Sequence, residues 1–81
     1  MPRSPAPAGS PLAKARIAAH AAFDELWRDD AFGMDRSDAY QWLADQLGIP
    51  KRDCHMLYFD EAMCRRVEVV CMQRRFIEAA A

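Results

Sequence analysis

Cys54, His55, Cys64 and Cys71 are the side chains whose types and grouping suggest a metal site or a bridge; their spacing is poor for a metal and leaves one bridge geometrically open. A structural zinc site needs four ligands, commonly opened by a pair of cysteines two to four residues apart, and the chain has no C-x-x-C pair. Cys64 and Cys71 are seven apart on what reads as one helix, so their backbones stand ~10 Å apart along its axis. That is beyond disulfide reach and awkward for one shared ion. Cys54, in a linker, is left able to reach Cys64 or Cys71, with the third thiol free. The preferred reading is three small buried hydrophobes in a reducing compartment. Catalysis asks for a nucleophile beside a base. His20 shows no cysteine or acid in an obvious triad pattern, and Cys54 and His55, as chain neighbours, point apart. The three glycines build neither a phosphate loop nor a nucleophile elbow. No catalytic residue, metal ligand or cofactor is expected, and the protein reads as a non-enzyme.

The elements around these residues are helical. Met34 to Pro50 carries a start, a stripe and a stop. Asp35 is a good N-cap with Asp38 three residues on, Ala39, Tyr40, Leu43 and Leu47 share a face, and Gly48, Ile49 and Pro50 end the helix. Before it, Ser10 and Pro11 open a helix expected over Pro11 to Arg28, with Leu12, Ala15, Ala19, Phe23, Leu26 and Trp27 on one face and Lys14, Arg16, Asp24, Glu25 and Arg28 off it. After it, Pro50 to His55 suits one short helical turn, and Met56 to Phe59 reads as a buried linker crossing the core. Asp60 caps a third helix, Glu61 to Glu78, whose stripe is Met63, Val67, Val70 and Cys71, continuing toward Ile77; Arg74 and Arg75 would complement its negative end. Residues 1–10, rich in proline and alanine, read as a flexible arm, and residues 11–81 as a single helical domain. The expected fold is all-α: a small bundle of three main helices with a short additional turn or buried linker. Its core would be Phe23, Leu26, Trp27, Tyr40, Leu43, Leu47, Phe59, Val67 and Val70.

Eleven bases against twelve acids say little about partners, but their distribution says more. Residues 23–47 hold seven acids against two bases, whereas residues 1–22 hold three bases and no acid. An acidic middle is the local field a basic partner would meet. Its candidate partner-binding residues are Asp24, Glu25, Asp29, Asp30, Asp35 and Asp38, with Trp42, beside the main stripe, as an exposed aromatic anchor. No apolar run approaches the ~18 residues of a membrane span, and no secretion signal opens the chain. A cytoplasmic protein with no membrane contact is expected. The segment AYQWLADQLGIPKRDCHM has the rhythm of a helix-turn-helix, yet only Lys51, Arg52 and His55 would face a groove.

Three stretches, AHAAFDELWR, MDRSDAYQWLADQLGI and CHMLYFDEAMCRRV, resemble the C-terminal helical part of a phage and prophage family described as a zinc-finger-containing domain of unknown function. Members carry cysteine zinc ligands upstream of this region, where this chain has MPRSPAPAGS, so the resemblance implies no zinc site here. It implies a small phage-derived protein. Such proteins, lacking catalytic groups, commonly bind host machinery, and anti-CRISPR proteins are a class of this size that uses acidic surfaces against nucleic-acid grooves. The expected function is therefore a phage-derived inhibitor that binds a host protein complex, a CRISPR effector, through its acidic face. Direct nucleic-acid binding is not expected; a helix-turn-helix-like DNA-binding regulator is the alternative.

Overall fold

Each of the three helices begins at a side-chain oxygen that accepts from the backbone N–H three residues on. Ser10 Oγ accepts from Ala13 at 3.2 Å, Asp35 Oδ1 from Asp38 at 2.8 Å, and Asp60 Oδ1 from Met63 at 2.8 Å. One otherwise orphan donor per helix is thereby satisfied. The computed structural model describes residues 5–28 and 33–80, with side chains as far as residue 77. In it α1 spans Pro11–Asp24, α2 Arg36–Leu47 and α3 Glu61–Ala80, and two 3-10 turns, Lys51–Asp53 and Met56–Tyr58, join α2 to α3. No strand occurs among the described residues, and no helix among them is long and apolar enough to cross a membrane.

The all-α bundle expected from the sequence is the observed architecture. Helix α2 stops where its residues demand: Gly48 adopts the left-handed conformation at φ 70°. Its N–H bonds Asp45 O at 3.3 Å while the Ile49 N–H reaches back to Ala44 O at 3.0 Å, the paired closure that only a glycine enters without strain. Helix α1 is shorter than its apolar pattern predicts. It ends at Asp24, not Arg28, because Leu26 and Trp27 donate to the carbonyls three residues back, at 3.0 and 3.3 Å. That tighter turn carries Leu26 to complete burial.

Helix α1 packs chiefly on α3. Phe23, Leu26, Leu43, Leu47, Phe59 and Val67 are buried as expected, while Trp27, Tyr40 and Val70 are partly buried against them. All three cysteines are buried and free. Arg16, placed off the apolar stripe by its charge, is only 6% exposed. Its Nε and Nη2 donate to Phe59 O at 3.2 and 3.1 Å, tying α1 to the residue before the α3 cap.

The linker is a corner with one exposed side chain. Met56 and Phe59 are buried, but the 3-10 turn between them points Leu57 outward, 45% exposed. A helix-turn-helix would need a recognition helix after Gly48, and only the three-residue turn Lys51–Asp53 stands there. Two expectations for α3 also change. Arg74 and Arg75 do not sit in its last turn, since it runs on to Ala80, and Ile77 lies outside the core at 65% exposure.

Candidate functional site

The acids expected to form one face are divided by the fold. Asp24 is buried, and its carboxylate accepts from His20 Nδ1 at 3.0 Å, Trp27 Nε1 at 3.2 Å and Arg28 Nη2 at 3.4 Å. It closes the end of α1 and is not a surface acid. Glu25 is exposed and pairs with Arg75 of α3. Asp29 and Asp30 lie outside the described residues. Asp35 and Asp38 are both exposed at the start of α2, where Asp35 also serves as its cap. Trp42 is not the exposed anchor expected of it: the ring is half-buried against the core, with the Arg74 guanidinium 5.3 Å from its centroid. Two helical turns beyond Asp38 stands Asp45, exposed and accepting from Gln41 Nε2 at 2.9 Å. Asp35, Asp38 and Asp45 thus fall along the outer side of α2, and none forms an ion pair among the described residues.

A second feature lies along α1 and the turn that follows it. His20, Asp24 and Arg28 are spaced by four, the interval that sets side chains beside one another along a helix, and the turn after Asp24 still brings Arg28 onto its carboxylate. They line a cleft of about 830 Å³ that α1 forms with α2 and the linker. Across it runs a chain of aromatic contacts: Tyr40 to His55 at 6.0 Å and His55 to Tyr58 at 5.1 Å, edge to face. The Arg36 guanidinium lies 5.5 Å from the Tyr40 ring centroid and 5.9 Å from that of Trp27. Because Asp24 holds His20 by Nδ1, the Nε2 of a neutral imidazole is left as an acceptor. Among the described residues no cysteine or serine lines the cleft, so the Asp24–His20 pair meets no thiol or hydroxyl of those types there.

The thiols are inert for a physical reason. Burial pushes Cys54 up to about 11 and Cys71, which also feels Cys54 nearby, up to about 12; burial raises Cys64 too. Metal binding needs the thiolate, which these surroundings disfavour, and no group of three His, Cys, Asp or Glu side chains converges among the described residues. The raised values carry a pH signature. Below the ordinary thiol value of 9.0 the cysteines are neutral folded or unfolded and contribute no slope. Above it the unfolded chain releases protons that the folded chain keeps until about 11 to 12. Stability is therefore expected to fall from pH 9 upward, by up to about 1.4 kcal/mol per pH unit for each thiol. Urea unfolding under reducing conditions between pH 8 and 11, compared with a Cys71→Ala variant of shallower slope, checks this.

Compared with known proteins, residues 3–75 match the family described as a zinc-finger-containing domain. No curated protein and no solved structure matches the chain.

Proposed function

The chain belongs to the zinc-finger-containing domain family, and we propose that it works as a non-enzymatic binding module that presents the outer side of α2 to a basic surface of a macromolecular partner. The zinc implied by the family's description does not fit the residues described: the cysteines are buried, held protonated and not gathered with a third donor. No step of the proposal passes through a metal.

One observation carries the reading. Asp35, Asp38 and Asp45 stand exposed on one helix, unpaired by any base among the described residues. Asp38 and Asp45 are ~10 Å apart along its axis. Unneutralised carboxylates on a rigid element attract cationic side chains at long range and set the register of docking. Such a row competes for the lysines and arginines that a nucleic-acid channel offers to phosphates. Within this reading the protein is a phage-type inhibitor acting in the host cytoplasm, and its partner is a host defence complex of the CRISPR effector kind. The acids from the sequence-based set that serve it are Asp35 and Asp38, with Asp45 added and Asp24 removed.

The test is target-DNA binding by an assembled CRISPR effector, with and without this protein. The expected result is salt-sensitive inhibition that weakens at least tenfold with Asp38→Lys and Asp45→Lys together, both exposed and neither a cap. Full inhibition by the doubly reversed protein would remove α2 from the interface. Absence of complex formation with any effector tested would remove the anti-CRISPR assignment.

A further inference from the structure

The cleft beside α1 has a composition that a structural corner does not need. Its wall carries Arg28 and Arg36, its floor the aromatic line Tyr40, His55 and Tyr58, and its rim Ile17 and Leu57. Those two lining residues are 70% and 45% exposed, apolar side chains left in water. The carboxylates on the same wall are already engaged, Asp24 by three donors and Glu25 by Arg75. Arg36 makes its described contacts with ring faces, and no carboxylate or carbonyl accepts from it among the described residues. Arg28 places one nitrogen on Asp24 at 3.4 Å, and a guanidinium has four further N–H groups to offer.

We propose that this cleft binds a nucleoside phosphate, its base lying against Tyr58 and the Tyr40–His55 pair and its phosphate taken by Arg28 and Arg36. The parts match the ligand class one by one. A guanidinium spread over an aromatic ring keeps its in-plane donors for a phosphate. Aromatic rings and an apolar rim favour a planar base over a bare ion. His20, fixed through Nδ1 by Asp24, leaves its Nε2 for a hydrogen bond with a sugar hydroxyl. The cleft volume of about 830 Å³ falls within the ~300–1,000 Å³ of small-molecule sites. A cation would find the cleft's carboxylates already occupied, and a neutral apolar ligand would leave the guanidinium groups without an acceptor.

This site lies on the α1 side of α2, and its test is independent of the acidic face. The full chain, labelled with nitrogen-15, is titrated with adenosine monophosphate, with adenosine and with inorganic phosphate, following amide shifts. The nucleotide is expected to move amides of α1's second half and of residues 54–58, with adenosine and phosphate each at least tenfold weaker. Arg36→Gln and Tyr58→Leu should each weaken the nucleotide about tenfold, the size of one charge-assisted hydrogen bond or one stacked ring. Asp38→Lys with Asp45→Lys should not weaken nucleotide binding, since neither residue lines the cleft. Both cleft substitutions are at exposed or half-exposed side chains, and thermal unfolding confirms that each variant folds. Phosphate binding as tightly as the nucleotide, or nucleotide affinity indifferent to both variants, would overturn the assignment.

Discussion

Phe23→Ala is expected to remove about 3–5 kcal/mol of stability, the cost of deleting a fully enclosed aromatic ring. Phe23 has no exposed surface, and its ring centroid lies 4.6 Å from that of Tyr40, tilted by 49°. It therefore joins α1 to α2 at the centre of the core. For 81 residues, a total stability of about 4–12 kcal/mol is typical, so this one substitution removes roughly a quarter or more of it. In urea the transition midpoint should fall by roughly 1 M or more, given slopes of about 1–3 kcal/mol per molar. Ile17→Ala, at a rim side chain 70% exposed, should change stability by less than about 0.5 kcal/mol. Equal losses in the two variants would mean that the ring at 23 is not enclosed.

The second large effect is expected at a charge. Arg16→Met keeps much of the side-chain volume but removes both donors to Phe59 O. The carbonyl cannot be substituted away, so the variant leaves a buried acceptor unsatisfied and should lose about 2–3 kcal/mol. The opposing term is relief of the guanidinium's own burial. It is smaller than for a buried ion pair, where both charges can be exchanged for apolar groups together. Arg16→Lys should recover roughly half the loss, since an ammonium supplies a point donor without the fork. Urea unfolding followed by tryptophan fluorescence, which reports through Trp27 and Trp42, separates these outcomes. Full stability in Arg16→Met would show that the carbonyl finds another donor.

How much of this was readable beforehand depends on how far apart the interacting residues are. The ends of α2 were legible because Asp35, Asp38 and Gly48 act within one helical turn of themselves. The end of α1 was not: nothing local forbids helix through Arg28, and the chain turns at Asp24 because burial of Leu26 and the donors of Trp27 and Arg28 favour it. Arg16 was hidden for the same reason, its acceptor lying 43 residues away. Trp42 sat beside the stripe on a helical projection, and Arg74, whose guanidinium lies over its ring, belongs to another helix. The four-residue spacing of His20, Asp24 and Arg28 was there to be read. Its meaning depends on the cleft that α2 and the linker close over it, which no local pattern shows.

The pairing of α1 with α3 has a consequence during synthesis. The largest helix contact joins the first helix of the chain to the last, and the Arg16 donors wait for a carbonyl 43 residues downstream. At ribosomal speeds of about 5–20 residues per second, the apolar side of α1 is made roughly two to nine seconds before its partner. During that interval Ala19, Phe23 and Leu26 have only α2 to meet. Until α3 is made, the apolar side of α1 lacks the surface that covers it in the folded chain.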